Sequence, residues 1–234
     1  MKALNQPLSK KVRDLFFLFS LLFVISTACS DNGVGPEEEE PEIIEDQELS
    51  ITSSSAGKNE GNARWTEYAA TDIGNQRMLS RTTVNVAGPG DTKSATAVGY
   101  ARFYAKADEA SLLVDINWKG TLLSAINLSS STEMIVHLRV RHMNPNGSTG
   151  SEIFSRQLER DGIGSGLKAL QKLDVESSIR ESYELNLTKD ELYRVEVSLQ
   201  CKLQVDIVSF SLVDCNAESD NRGVFVEQLK VMYE

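Results

Sequence analysis

The chain has 234 residues, a net charge of −10 and 41% hydrophobic residues, which suffices for one folded domain with its own core. The charge is uneven: residues 1–30 carry +3 and residues 31–48 carry −9, which leaves −4 for residues 49–234. Because Lys and Arg are scattered singly through residues 49–234, the basic patch of a nucleic-acid-binding protein is not indicated, and no nucleic-acid partner is expected.

Residues 1–28 have the pattern of an export signal. An apolar run of 11 residues extends from Leu15 to Ile25, which is too short for a membrane-spanning helix of about 20 residues. Basic residues precede the run and small ones follow it: Lys2, Lys10, Lys11 and Arg13 before, and Ser26, Thr27 and Ala28 after. This order of basic, apolar and small residues is typical of a cleaved secretory signal.

The residue directly after the expected cut is Cys29. The segment resembles a bacterial lipoprotein signal, and this resemblance implies that Cys29 becomes the acylated N-terminus of a protein anchored to the outer membrane or the cell surface. The usual Leu three residues before the cysteine is replaced by Ser26, with Ile25 one step earlier. Ser26 and Ala28 also fit ordinary signal peptidase, so simple secretion with Cys29 as a free thiol is the alternative.

Residues 29–48 are predicted to form an extended tether. From Asp31 to Glu48 there are nine acidic residues and no basic one, interrupted by glycines and prolines. Dense like charges repel each other and little apolar surface opposes them, which favours disorder. An acidic run after a lipidated cysteine also resembles the surface-export signals of some Bacteroidota lipoproteins. Residues 49–234 then form the folded domain.

Alternation of apolar and polar residues predicts β-strands through most of the domain. The predicted strands are Met78–Val86, Val98–Lys106, Leu112–Lys119, Thr132–His142, Glu152–Arg160, Ile179–Leu187, Tyr193–Val205 and Val224–Tyr233. Asn144–Gly147 predicts a tight turn between two of them, and the short link Asp108–Ala110 predicts a hairpin. The alternation changes phase at Ile207–Val208, which favours a bulge over a turn. A short helix is expected at Leu167–Leu173.

About eight or nine strands without regular βα alternation predict an all-β fold, a two-sheet antiparallel β-sandwich. Two segments resemble strands of jelly-roll modules: Tyr183–Val197, with its Tyr-x-Val-x-Val strand, and the closing strand Gly223–Tyr233. The resemblance implies a jelly-roll-like sandwich and says nothing about a ligand.

If Cys29 carries lipid, Cys201 and Cys215 remain as an even pair in an oxidising compartment. A disulfide between them is therefore expected, with two buried thiols as the alternative. The cysteines have neither Cys-x-x-Cys nor zinc-ligand spacing, so redox chemistry and a metal site are not indicated.

Catalytic residues are not indicated by any pattern in the sequence. The two histidines, His137 and His142, lie five residues apart on one strand and so on opposite faces. There is no Gly-x-Ser-x-Gly elbow, and a glycosidase carboxylate pair is defined only by its separation in space. The sequence therefore predicts a protein without catalytic residues, cofactor or metal.

A candidate binding surface is formed by Tyr100, Arg102 and Tyr104, which share one face of a predicted strand. Aromatic rings beside a guanidinium suit a sugar ligand, because rings stack on pyranose faces and guanidinium groups bind hydroxyls. Val98 lies on the same face, so a core position for these side chains is the competing interpretation. Trp65 and Tyr68 form a second, weaker aromatic pair.

Three functions follow, in order of preference. The first is a non-enzymatic surface module that binds glycan or a partner protein. The second is a structural or assembly lipoprotein of the cell envelope without a small ligand, and an enzyme acting on glycan is the least favoured.

Overall fold

A computed structural model describes residues 43–58, 65–84, 91–125, 131–164, 170–205, 210–216 and 221–233. The signal, Cys29 and most of the acidic segment lie outside these residues. Twelve strands account for all the regular secondary structure that is described. They are β1 (Gln47–Leu49), β2 (Ser53–Lys58), β3 (Trp65–Asp72), β4 (Arg77–Val84), β5 (Asp91–Tyr104), β6 (Glu109–Ala125), β7 (Ser131–Met143), β8 (Thr149–Ile163), β9 (Gln171–Asn186), β10 (Leu192–Val205), β11 (Phe210–Cys215) and β12 (Gly223–Met232). Within the described ranges, no helix has the length and hydropathy needed to cross a lipid bilayer.

The strands form two antiparallel sheets, which confirms the predicted β-sandwich with more strands than expected. Sheet B has the order β2-β5-β10-β7-β8. In sheet A, β6 pairs with β9 on one side and with β11 and β12, one after the other, on its opposite side. Strands β4, β3 and β1 extend sheet A beyond β11 and β12.

The core is formed by one face of each sheet, because successive side chains of a strand point to opposite faces. In β10, the alternate residues from Tyr193 to Leu203 are buried, and in β6 those from Leu112 to Trp118 are buried. Side chains from both strands belong to the same hydrophobic cluster. Full burial of each large apolar side chain contributes about 1.5–3 kcal/mol, so these two strands carry much of the stability.

One predicted connection is wrong because it joins different sheets. The hairpin expected at Asp108–Ala110 does not form: β5 belongs to sheet B and β6 to sheet A. Alternation identifies a buried face and does not tell which sheet presents it.

The bulge favoured at Ile207–Val208 lies outside the described residues, between β10 of sheet B and β11 of sheet A.

The helix expected at Leu167–Leu173 is also wrong in the part that is described. Residues 171–173 form the start of β9, with Leu173 paired to Leu122 of β6. Residues 165–169 lie outside the described residues. Pairing with a long neighbouring strand decides the conformation here, since the segment has no strong helical pattern of its own.

The turn at Asn144–Gly147 is confirmed as the hairpin connection between β7 and β8. The Gly147 nitrogen donates to the Asn144 oxygen at 2.8 Å, and Gly147 has a φ of +80°, which glycine adopts at no steric cost. The Asn146 side chain accepts a hydrogen bond from the Ser148 nitrogen at 2.9 Å. Such a side-chain bond to the backbone is why Asn favours turns.

Strand β1 begins at Gln47, before the predicted domain start at Leu49. It pairs with β12, and two acidic residues bind that strand: Asp46, just before β1, contacts Lys230 at 2.8 Å, and Glu48, within β1, accepts from Gln228 at 3.1 Å. The hydrogen bond from Lys230 lowers the pKa of Asp46. The end of the acidic segment is therefore part of the fold.

Three sulfur atoms meet where the two sheets pack. Cys201 lies in β10 of sheet B and Cys215 in β11 of sheet A, and their Sγ atoms are 3.5 Å apart as two buried thiols. The Cys215 thiol donates to the Met134 thioether at 3.3 Å. Gly120 leaves room for this group, since a Cβ there would lie 2.7 Å from the Cys215 Sγ. A bond between the thiols would join the sheets at the centre of the core.

Burial disfavours reaction of the two thiols once the core has closed. Hydrogen bonding with Cys201 and burial raise the pKa of the Cys215 thiol, which disfavours the reactive thiolate in the folded protein. Oxidation is therefore expected while the chain folds, when both thiols are accessible.

We predict that protein isolated from an exporting cell contains the Cys201–Cys215 disulfide. Intact mass should be lower by two hydrogens than after reduction under denaturing conditions. Reduction should lower the free energy of unfolding by about 3 kcal/mol, because the unfolded chain regains the entropy of a short loop. Two thiols labelled in the denatured, unreduced protein would contradict the prediction.

Candidate functional site

The three predicted binding residues lie on the outer face of sheet B. Their neighbours Ala101 and Phe103 are buried, so Tyr100, Arg102 and Tyr104 point away from the core. Tyr104 is 62% exposed, Arg102 is exposed and Tyr100 is half-buried. The competing interpretation, that these side chains belong to the core, does not hold.

The register of sheet B brings three arginines side by side. Arg102 of β5 is directly opposite Arg194 of β10, which is directly opposite Arg141 of β7. We call Arg102, Arg194 and Arg141 the arginine row. It runs across the strands rather than along one of them. Like charges directly opposite each other destabilise a sheet, so the row needs compensation from elsewhere.

Two glutamates provide part of this compensation. Glu196, only 7% exposed, accepts a hydrogen bond from Arg194 and lies 3.5 Å from Arg141 Nε. Glu152 of β8 accepts from Arg141 at 3.0 Å and lies 3.6 Å from Arg139 Nε. These contacts order the guanidinium groups on the surface of the sheet.

Positive charge remains in excess on this part of the face. Four arginines (Arg102, Arg139, Arg141, Arg194) face two glutamates (Glu152, Glu196). Among the described residues, Arg102 contacts no carboxylate. The arginines that are scattered through the sequence thus converge in the fold, and Arg102 is the one whose charge is not balanced nearby.

The two tyrosines have different surroundings. The Arg194 guanidinium lies 4.7 Å from the centre of the Tyr100 ring, and the Tyr100 hydroxyl donates to the Ser54 oxygen at 3.2 Å. Tyr100 is thereby held in place by cation–π and hydrogen-bond contacts. The exposed Tyr104 ring is the aromatic surface that a ligand can reach.

A shallow depression of about 310 Å³ continues from the arginine row along the outer face of sheet B. Its lining includes the short side chains of Ser198 and Thr96 and the longer ones of His137 and Arg139. Arg139 Nη2 lies 3.1 Å from His137 Nδ1. Burial and the charge of Arg139 lower the pKa of His137, so the imidazole is neutral at pH 7 and accepts this hydrogen bond. The depression offers an ordered set of polar groups to an extended ligand.

A larger concavity, of about 650 Å³, lies on the outer face of sheet A beside a bulge in β12. Its charged side chains are paired: Lys119 contacts Glu176 at 3.0 Å, and Asn117 donates to Glu227 at 2.9 Å. Arg77 lies over the ring of Phe225, 4.7 Å from its centre. Because these groups already have partners, we regard the face of sheet B as the better candidate despite its smaller volume.

The other residues that the sequence analysis singled out do not belong to this site. His142 packs edge-on against Tyr193, with 5.4 Å between the ring centres, and its Nε2 lies 3.2 Å from Glu191. Tyr68 is 38% exposed on β3, in sheet A, and the Trp65 side chain lies outside the described residues. In the part of the chain that the structure describes, no group of three His, Cys, Asp or Glu residues could hold a metal ion.

Sequence reasoning missed Arg194, Arg141 and Glu196 as members of the site. The alternation in Tyr193–Val205 already assigns Arg194 and Glu196 to the polar face of the strand. What it lacks is the register with β5 and β7, which depends on the packing of the whole sheet. That register is what makes three separate arginines one row.

Comparison with known proteins identifies no family. No model of a protein family matches the sequence, and no curated protein matches it either. Among solved structures, the carbohydrate-binding module TmCBM61 in complex with β-1,4-galactotriose is similar with 6% identity and a TM-score of 0.23, over 76% of this chain and 90% of that one. The K3 adhesin domain of Lys-gingipain from Porphyromonas gingivalis has 11% identity and a TM-score of 0.25, over 73% and 91%.

The enzymatically active domain of bacteriophage CBA120 tailspike protein 4 is also similar, with 10% identity and a TM-score of 0.24. The match covers 76% of this chain and only 20% of the tailspike chain. At such identities and TM-scores, the similarities assign neither a ligand nor an activity to this chain.

We predict that Glu196→Gln lowers the free energy of unfolding by about 2 kcal/mol, because the arginine row loses its most buried counter-charge. The control is Glu176→Gln, which removes the same charge from an exposed pair whose glutamate side chain is 71% exposed. The control should change stability by less than about 0.5 kcal/mol. Urea unfolding measures both, and equal losses would show that Glu196 has no special role.

Proposed function

We propose that the protein is a lipid-anchored module of the cell envelope that binds glycan on the outer face of sheet B without catalysing a reaction. The observation that carries the proposal is the 62% exposed ring of Tyr104 at the end of an ordered row of guanidinium groups. A reachable ring next to fixed hydrogen-bond donors is the arrangement that a sugar requires, since it offers apolar CH groups on its faces and hydroxyls around its rim.

The shape of the face supports an extended ligand rather than a small molecule. The depression along the sheet is open, and its lining side chains come from β5, β7, β8 and β10. A small molecule is normally enclosed by a deep, mostly apolar pocket. An open polar trough over several strands suits a chain of sugar units, each making a few contacts.

The carboxylates of this face support binding rather than hydrolysis. Glu133, Glu152 and Glu196 each contact an arginine or a lysine. A hydrogen bond from Arg160 lowers the pKa of Glu133, which makes that carboxyl group a poor proton donor. Glycoside hydrolysis needs one carboxylic acid that stays protonated beside a second, ionised carboxylate.

An assembly role in the envelope is the second candidate, and the edges of the sandwich favour it. Among the described residues, β8 pairs with β7 alone and β9 with β6 alone, so each presents a long free edge. Their side chains meet at Phe154 and Tyr183, with 5.1 Å between the ring centres. Charged residues are frequent on both strands, which protects such edges against pairing with other chains and places this function second.

We predict that Tyr104→Ala weakens glycan binding by about tenfold or more, because the stacking surface of an aromatic ring is lost. The ligand is first identified by screening the purified protein on a glycan array, and affinity is then measured by titration calorimetry. Tyr68→Ala is the matched control, since it removes an exposed tyrosine from the other sheet.

The control variant should bind as the wild type does. If no glycan on the array is bound and envelope proteins are captured through β8 or β9, the glycan-binding proposal is wrong and the assembly role is favoured. Equal loss in both variants would place the ligand elsewhere on the molecule.

We predict that Cys29→Ser releases the protein from the membrane fraction into the soluble fraction. Stable anchoring requires two or three acyl chains. The variant lacks the thiol on which this acylation depends, so it should lose its attachment altogether. Immunoblots of fractionated cells measure the distribution. A wild-type protein already found in the soluble fraction would contradict lipidation and support simple secretion.

A further inference from the structure

The arginine row breaks a general rule of sheet stability, because its like charges lie directly opposite each other on three neighbouring strands. Natural sequences tolerate such local conflicts mainly at functional sites. We propose that the outer face of sheet B selects polysaccharides that carry anionic groups, carboxylate or sulfate, on their sugar units. This inference rests on the proposed glycan-binding function and names the class of its ligand.

The charge of the face supports an anionic ligand. Among the described side chains of sheet B, six basic ones point outward against three acidic ones: Arg102, Arg139, Arg141, Arg160, Arg194 and Lys202, against Glu133, Glu152 and Glu196. Residues 49–234 as a whole carry −4. The positive charge is thus concentrated on this face of an otherwise acidic domain. It attracts anionic ligands to the face and gives neutral ligands no such advantage.

Hydrogen-bond donors are also in excess. Arg139, Arg141 and Arg194 each have a buried Nε without an acceptor among the described residues. The carboxylate oxygens paired with the first two are 3.6 and 3.5 Å from these nitrogens, beyond good hydrogen-bond geometry. Because these Nε atoms are shielded from solvent, a ligand would bind the terminal guanidinium nitrogens instead, and carboxylate and sulfate oxygens accept hydrogen bonds there without donating any.

The spacing of the row suits a charged polymer. Neighbouring strands lie about 4.8 Å apart, so the three arginines span about 10 Å across the sheet. Guanidinium groups match the two oxygens of a carboxylate or sulfate through paired hydrogen bonds. Arg102, which lacks a carboxylate partner among the described residues, lies next to the exposed Tyr104 ring. One sugar unit can therefore stack on the ring while its anionic group binds Arg102.

Polymers that differ only in charge test the inference with the lipidated protein in detergent. The first pair is polygalacturonate and its methyl ester, and the second is dextran sulfate and dextran. We expect at least one charged polymer to bind about tenfold more tightly than its neutral partner, which corresponds to about one charge-assisted hydrogen bond. The preference should fall as salt is added, since salt screens exposed charges.

Two variants locate the effect. Arg102→Gln should abolish the preference while the protein still unfolds at the wild-type urea concentration. Arg180→Gln is the matched control: it removes an arginine from the outer face of sheet A, where Arg180 lies 3.6 Å from Asp115, and should leave the preference unchanged.

The outcomes separate the two proposals. Equal affinity for charged and neutral members of both pairs overturns the anionic class and leaves glycan binding in place. Absence of binding to every polymer here and on the glycan array overturns both. Duplex DNA binding as tightly as the charged polysaccharide overturns the inference, because charge alone would then account for the affinity. Loss of the preference in Arg180→Gln also overturns it.

Discussion

Strand β10 pairs with a strand on each side and packs against the opposite sheet, and the rest of the molecule is organised around it. It pairs along its length with β5 on one side and with β7 on its opposite side. Its inward side chains, Val195 and Val197 among them, are fully buried against sheet A. A slip of one residue would turn its charged side chains inward, so burial of the apolar face fixes the register. The same register therefore determines which side chains lie opposite each other on the outer face.

This constraint explains why an unfavourable charge arrangement persists. Repulsion between Arg102, Arg194 and Arg141 cannot be relieved by shifting a strand, because any shift would expose the core. It is relieved locally instead, by the carboxylate of Glu196 beside the row and by Glu152 at its end. The free energy gained by burying the apolar face is larger than the repulsion between the arginines. Burial therefore decides the geometry, and the repulsion is tolerated.

The sequence predicts the faces of the strands well and their partners poorly. Alternation predicted the strand Tyr193–Val205 and its buried residues. It put Tyr100, Arg102 and Tyr104 on one face without deciding whether that face points outward or into the core. It failed where a decision depended on the other sheet: the link after Tyr104 crosses from sheet B to sheet A. The strands β1, β2 and β3 were missed because their sequences lack a long apolar alternation. Pairing across β5, β10 and β7 brings together residues far apart in the chain, which no local pattern records.

The two outer faces show why charge alone does not make a site. Sheet A also carries basic residues, but Lys119 pairs with Glu176 and Arg180 with Asp115, one cation to one anion on adjacent strands. Such pairs add little stability. Because their charges cancel, they also leave little electrostatic potential to attract a charged ligand. On sheet B, glutamates are fewer than the cations and two of them are shared between arginines, so positive charge remains beside the exposed Tyr104 ring. An anion that binds there relieves repulsion already present in the fold, and its binding therefore stabilises the folded protein as well.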